Sequence, residues 1–306
     1  ARRSPGMSQA RYAWDNGAVR FTMSPALGLV SLVVVTMIWG TTFVVVKEAL
    51  DTISVPLLLA LRFTLAGLLL AWAGWDRRAV VPALMLGLLS FAGFVTQTIG
   101  LSITSASNAA FITGLSVIVT PLVGRLFWRQ AVAPRVFAAA VVALAGLALI
   151  TLRDGVAAIN GGDMLVLVTA LTYALYIVYL GEVAGKVRGT SLAFMQHVPM
   201  ALLAWLWAAP QVGDLVNVPL TTLLAIVYLA AVATAGVAII QTYAQRVVPA
   251  HLTALVFVLE PAFAALFAFL VLGERLGPLG WIGGGLMLFA MVIAQVRWPA
   301  PRLDGR

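Results

Sequence analysis

Two charged residues lie inside long apolar stretches of the sequence. Arg62 stands within LLLALRFTLAGLLL, and Glu260 stands within LVFVLEPAFAALF. A charge at the centre of a membrane-spanning helix costs about 2.5–3.5 kcal/mol on insertion scales, so such residues face a partner or a water-filled cavity. The two side chains could pair with each other, or each could be a structural fixture of its own helix. Pro261, which follows Glu260, removes one helical hydrogen bond at this position.

Uncharged polar and aromatic residues occur in similar apolar stretches. We predict that a substrate cavity contains Arg62 and Glu260 together with Trp39, Thr41, Gln97, Asn108, Tyr173, Tyr176 and Gln241. Tyr173 and Tyr176 are three residues apart and would share one face of a helix. An aromatic stripe of this kind is also typical of simple packing or of a membrane-interface belt. The prediction of a substrate cavity therefore concerns these nine residues together.

No pattern in the sequence predicts catalysis or a metal centre. The chain has no cysteine, and its two histidines, His197 and His251, are far apart in the sequence. No nucleotide-binding loop, nucleophile elbow or zinc-protease motif occurs in a suitable context. We therefore predict no catalytic residue, no metal and no cofactor, and a protein that is not an enzyme.

The composition indicates a protein that lies in lipid. Hydrophobic residues make up 62% of the 306 residues and charged residues only 10%, whereas about a quarter of the residues of a soluble domain are charged. The net charge of +8 could suggest a nucleic-acid partner. However, the basic residues occur in short clusters between apolar tracts, as in the loops of membrane proteins. The predicted partners are the lipid bilayer and a small-molecule substrate, with no nucleic acid.

Ten tracts are long and apolar enough to cross a bilayer, which needs about 20 such residues. They run over residues 25–46, 52–75, 79–103, 106–127, 136–152, 164–181, 190–211, 215–245, 252–273 and 276–296. Transmembrane barrel strands would be shorter and would alternate in polarity. The predicted fold class is therefore an all-α integral membrane protein of ten transmembrane helices.

The distribution of basic residues predicts the orientation. Fifteen lysines and arginines fall in the tails and connections on one side of the predicted bundle, against three on the other side. By the positive-inside rule, the side with fifteen is cytoplasmic, so both termini are cytoplasmic. We predict a multi-pass protein of a bacterial-type inner membrane, whose oligomeric state the sequence leaves open.

The two halves of the sequence resemble each other weakly. Gln97-Thr98 recurs as Gln241-Thr242, Thr120-Pro121 as Glu260-Pro261, Pro134 as Pro278, and Trp39 corresponds to Tyr173. Each half holds five helices, an odd number, so the halves would be inverted copies around a central cavity. The predicted segments are an N-terminal tail (1–24), a first five-helix repeat (25–152), a linker (153–163), a second repeat (164–297) and a C-terminal tail (298–306).

Several motifs at these positions resemble a known family. They are IWGTTF at 38–43, LRF at 61–63, TSASNAAF at 104–111, the segment 249–261, and LGERL at 272–276. Together they resemble the EamA-type branch of the drug/metabolite transporter superfamily over about residues 25–296. The first half departs from the pattern, because Arg129-Gln130-Ala131 stands where many members place a Gly-Glu pair.

The resemblance implies two inverted five-helix repeats around a central cavity and export of amino acids, other metabolites or drugs. Similar bacterial members include aromatic amino acid exporters. A phosphorylated substrate would favour paired basic residues deep in the cavity, where the sequence offers only Arg62. We expect a secondary transporter that exports amino acids, possibly aromatic ones, and related small metabolites by alternating access. The alternatives are a multidrug or other metabolite transporter of the same fold, or a lipid-handling membrane protein.

Overall fold

The computed structural model describes residues 23–104, 109, 112–151, 160–263, 266 and 277–295, and all structural statements concern these residues. Within them the chain forms ten helical segments, which confirms the predicted fold class. In chain order, α1 to α10 are Pro25–Leu50, Val55–Ala73, Arg77–Ile103, Ile112–Trp128, Pro134–Thr151, Gly161–Val183, Gly189–Asn217, Leu220–Ala244, Ala250–Phe263 and Pro278–Gln295. Short 3-10 segments belong to α2, α3 and α7.

Several helix boundaries differ from the sequence prediction by three to six residues, and two of them change a predicted connection. Helix α6 begins at Gly161, inside the predicted linker 153–163, because Asn160 and Asp163 form a capping box at its start. Helix α8 begins at Leu220 rather than at residue 215. The chain from Ala209 to Asn217 continues α7 as a 3-10 segment, and Pro219 then adopts an extended backbone.

The outer surface of the bundle is apolar. Among the described residues, six helices are long and apolar enough to cross a membrane, and four further apolar helices are shorter. Large hydrophobic side chains on their outer faces are exposed, including Leu126, Leu206, Leu224 and Phe289. Such a continuous apolar exterior would aggregate in water and is suited to contact with lipid.

The helix pairs follow the expected internal symmetry. Helix α2 packs extensively on α7, and α5 packs on α10, so each of these pairs joins equivalent helices of the two halves. Helix α3 packs on α6, and α1 packs on α8; exchanging the halves converts one of these pairs into the other. The described helices are therefore arranged as two five-helix repeats related by a pseudo-twofold axis.

One end of the bundle carries the α2–α3, α4–α5, α6–α7 and α8–α9 connections, and we call it the basic end. The Arg188 backbone N–H donates to the Asp76 carboxylate (3.2 Å), and the Ser191 hydroxyl donates to the Ala73 carbonyl (3.2 Å). These contacts join the α2–α3 and α6–α7 connections.

The α8–α9 and α4–α5 connections also contact the end of α6 and the α6–α7 connection. The Arg246 guanidinium donates through Nε to the Ala184 carbonyl (2.8 Å) and through Nη2 to the Val187 carbonyl (3.0 Å). The Gln130 amide donates to the Glu182 carboxylate (2.7 Å). All four connections of the basic end are therefore linked by polar contacts, which hold this end together.

At the opposite end, the start of α6 is anchored to the end of α3. The Asn160 side chain accepts from the Asp163 backbone N–H, and the buried Asp163 carboxylate accepts from the Asn160 backbone N–H (3.0 Å) and the Thr104 hydroxyl (2.6 Å). We expect Asn160→Ala to destabilise the protein by about 1 kcal/mol, the usual cost of losing an N-cap. A melting curve of the purified variant checks this, with Asn160→Asp, which keeps an acceptor, as the control. An unchanged melting temperature for Asn160→Ala would contradict it.

Candidate functional site

A cavity lies in the interior of the bundle between the two halves. Its lining residues come from α1, α2, α3 and α4 of the first half and from α6, α7, α8 and α9 of the second half. Seven of the nine residues predicted for the cavity lie along it: Trp39, Arg62, Gln97, Tyr173, Tyr176, Gln241 and Glu260. Their role in binding a substrate stays a prediction. Asn108, the eighth, lies outside the described residues.

Thr41, the ninth predicted residue, does not line the cavity. Its hydroxyl contacts the Tyr228 hydroxyl and the Ile38 carbonyl, so it joins α1 to α8. The next residue, Thr42, lines the cavity instead. Consecutive helical residues differ in direction by about 100°, and the packing of α1 places the second threonine rather than the first on the inner side.

Four of the lining helices are irregular at the level of the cavity. Helix α4 is interrupted at Leu115, α7 at Gln196, and α9 at Val258 and Leu259, while α8 widens into a π-helical turn over Ala231–Gly236. Pro199 explains the interruption in α7, because proline cannot donate a hydrogen bond to the carbonyl four residues earlier. Irregular backbone at membrane depth is tolerated where it lines a cavity, and in transporters it commonly forms the substrate site.

The π-helical turn of α8, which we call the π-turn (residues 231–236), holds Arg62. The Arg62 Nε–H donates to the Thr234 hydroxyl oxygen (2.7 Å), and the Thr234 hydroxyl donates to the Leu229 carbonyl five residues earlier (2.7 Å). Trp39 donates its indole N–H to the Ala233 carbonyl (3.2 Å). The side chains of α1 and α2 are thus oriented by backbone and side-chain groups of the same turn.

Aromatic rings form one wall beside Arg62. Its guanidinium carbon lies 4.7 Å from the centre of the Phe94 ring, a cation–π contact. The Phe94 ring meets Tyr173 edge-on at 6.0 Å between centroids, and Trp39 meets Phe257 in the same way at 4.9 Å. These rings give the cavity an aromatic, polarizable surface that suits an organic solute with an apolar part.

Two hydrogen-bonded groups connect the tyrosines to neighbouring helices. The Tyr173 hydroxyl donates to the Gln97 side-chain carbonyl, whose amide donates to the Thr113 hydroxyl, both at 3.3 Å. The Tyr176 hydroxyl donates to the Gln196 side-chain carbonyl at 3.0 Å. In each case a tyrosine of α6 orients a glutamine, so that the direction of the amide in the cavity is fixed.

The predicted Arg62–Glu260 pair is not a direct contact. Within the described part of the chain, no ion pair joins the two side chains; Arg62 is held by Thr234 and Phe94 instead. Glu260 is partly exposed to the same cavity, directly after the interruption of α9. Tyr173 lies close enough to both charges to interact electrostatically with each. The cavity therefore contains a guanidinium and a carboxyl group that do not contact each other.

Besides Thr42, the prediction of cavity residues omitted Phe94, Gln196 and Thr234. Gln196 could have been included, because the offset that relates Trp39 to Tyr173 in the internal repeat also relates Arg62 to Gln196. Thr234 could not, because nothing in the sequence AVATAG marks a π-turn. Phe94 lies in an apolar stretch, where its position beside a cation has no sequence signal.

Comparisons with known proteins agree with this architecture. The model of the EamA-like transporter family matches residues 26–152 and 160–295. Two proteins of Archaeoglobus fulgidus, each named an uncharacterized transporter, are similar to the chain. The first is 31% identical, and the match covers 87% of this chain and 85% of the relative. The second is 27% identical, and the match covers 85% of this chain and 94% of the relative. A solved crystal structure matches with a TM-score of 0.71 at 16% identity, over 88% of this chain and 96% of its own, which supports the fold alone.

Proposed function

Because the chain belongs to the EamA-like transporter family, we propose that it is a secondary transporter that exports amino acids, aromatic ones among them, and related small metabolites by alternating access. That it is a multi-pass membrane transporter follows from the family and from its apolar helices. The export of amino acids rests on the chemistry of the cavity. No step of this function requires an enzymatic activity.

The observation that carries the proposal is the composition of the cavity wall. Arg62 provides a guanidinium and Glu260 a carboxyl group, and the two are separated rather than paired. The rest of the described wall is aromatic, amide or hydroxyl in character, with aliphatic residues between. This arrangement complements a small solute that carries a carboxylate, an amino group and an apolar part. A phosphate group would need more positive charge in one place.

The polar contacts at the basic end support an outward-facing arrangement. By the positive-inside rule the basic end is cytoplasmic, in a bacterial-type inner membrane. The lining residues Val46 and Leu101 lie near the ends of α1 and α3 that point away from it. The cavity therefore extends toward the exterior, while the linked connections of the basic end close it from the cytoplasm.

Single cysteine variants test this orientation, since the chain has no cysteine of its own. We expect a membrane-impermeant maleimide added outside intact cells to label Asp51→Cys, which is exposed in the α1–α2 connection. It should not label Lys186→Cys, which is exposed in the α6–α7 connection at the basic end. Labelling of Lys186→Cys from outside, with Asp51→Cys unreactive, would reverse the assignment of the two ends.

Uptake into liposomes tests the transport itself. Purified protein would be reconstituted and offered radiolabelled phenylalanine, threonine, a sugar and a phosphorylated metabolite, with and without a pH gradient. We expect saturable uptake of amino acids only, and its response to the gradient decides whether Glu260 merits a proton-coupling hypothesis. Uptake of none of these solutes by folded protein would exclude the amino acid assignment.

A further inference from the structure

Two side chains of the cavity carry donor groups that make no hydrogen bond within the described part of the chain. Gln196 is 2% exposed, and its Nε2 atom is buried without a hydrogen bond. Arg62 is 3% exposed and uses only its Nε–H, so within the described chain its Nη1 and Nη2 atoms make no hydrogen bond to protein. Leaving a buried donor unsatisfied is costly. A ligand that binds beside these groups would remove this cost.

The surroundings fix the direction of both donors. Thr234 holds the Nε edge of the Arg62 guanidinium, and Phe94 covers one face, which leaves the outer edge with its two parallel N–H groups. This edge matches the two oxygens of a carboxylate. The Tyr176 hydroxyl binds the carbonyl of the Gln196 side chain and so leaves the amide N–H₂ as the free group.

The two donors are related by the fold. Arg62 lies on α2 and Gln196 lies on α7, which pack closely against each other across the pseudo-twofold axis. His197, the neighbour of Gln196, lies within electrostatic reach of Arg62. Its Nδ1–H donates to the Ala193 carbonyl at 2.7 Å and is therefore occupied. The free donors of this region thus belong to Arg62 and Gln196.

From this geometry we propose that Arg62 and Gln196 form a subsite for the α-carboxylate of the substrate, and that Thr234 is the positioning residue that orients Arg62. The amino group of the same substrate then faces Glu260. This inference rests on the proposed function, since it specifies which part of an amino acid the cavity recognises. It predicts that the carboxylate, rather than the side chain, is the group the transporter requires.

Binding to the intact protein in nanodiscs tests the subsite without transport. Isothermal titration would compare L-phenylalanine and L-threonine, each against its own carboxamide. Charge-assisted hydrogen bonds contribute about 1.5–3 kcal/mol, so we expect wild type to bind each acid about 10- to 100-fold more tightly than its amide. Arg62→Gln should lose this preference, and Gln196→Leu should reduce it.

Thr234 provides the more specific test. Thr234→Val keeps the shape of the side chain and removes the hydroxyl, so it should weaken binding of the acids and leave binding of the amides unchanged. Thr234→Ser should restore the preference, and melting curves would verify that each variant is folded. A purely structural role would weaken acid and amide equally. That result, or equal binding of acid and amide by wild type, would overturn the subsite.

The binding test of the subsite and the uptake test of the proposed function can fail independently of each other. Saturable uptake of amino acids with no preference for acid over amide would leave the transporter in place and remove the subsite. A clear preference for the acids, without uptake into liposomes, would support the subsite and contradict transport of those solutes.

Discussion

Replacing Arg62 with methionine is expected to abolish amino acid uptake and to leave the folded protein at least as stable as wild type. A central charge costs about 2.5–3.5 kcal/mol in a membrane helix, and the variant no longer bears that cost. Methionine can still contact the Phe94 ring through its sulfur, and Thr234 keeps its bond to the Leu229 carbonyl. Uptake should fall by about 100-fold or more, because the charged donor to the substrate is lost.

The measurement pairs liposome uptake with melting curves, at matched protein content. Arg125→Met is the control, because it makes the same chemical change at an exposed position of the basic end and should transport normally. A structural Arg62 would instead lower the melting temperature when replaced. Normal uptake by Arg62→Met would show that the guanidinium has no part in transport.

Gly93→Ala is expected to have the second largest effect, on stability and uptake together. A Cβ atom at Gly93 would lie 2.2 Å from the Cε1 atom of Tyr173, far inside contact distance. The ring cannot move freely, because Gln97 binds its hydroxyl and Phe94 packs on its edge. Overpacking of this kind costs about 1–3 kcal/mol, and the displaced tyrosine would intrude on the cavity.

A second glycine provides the matched control. A Cβ atom at Gly284 on α10 would meet nothing within 4 Å, so Gly284→Ala should be neutral or stabilise the helix by about 0.5–1 kcal/mol. Melting temperature and initial uptake rate would be measured for both variants. If the two alanine variants behave alike, the close approach of α3 to Tyr173 does not constrain the cavity.

The main outline of the fold could be predicted from the sequence, because its signals are large and repeated. Ten apolar tracts and two similar halves specify ten helices in two repeats, whichever side chains pack in detail. Arg62 and Glu260 were identifiable because a charge inside an apolar tract must face the interior. The same argument does not show that Trp39 and Gln97 face the interior, because neither side chain is excluded from a lipid-facing position.

The finer geometry depends on packing that the sequence does not display. Thr41 and Thr42 have the same chemistry, and only the rotation of α1 decides which one lines the cavity. Opposite charges suggested that Arg62 and Glu260 pair directly, but a neutral hydroxyl and an aromatic ring already hold Arg62. The π-turn that supplies this hydroxyl has no distinctive residue pattern.

The π-turn also has an evolutionary consequence. A wide turn of this kind holds one residue more than the α-helical path it replaces. Deleting a single codon within residues 231–236 would restore that path and leave the following part of α8, with Gln241, close to its present orientation, because the wide turn absorbs the additional residue. The deletion would instead remove the turn whose Ala233 carbonyl and Thr234 hydroxyl bind Trp39 and Arg62. Among related chains, a change of one residue in length here would therefore alter the contacts of these two cavity side chains while the rest of the wall kept its place.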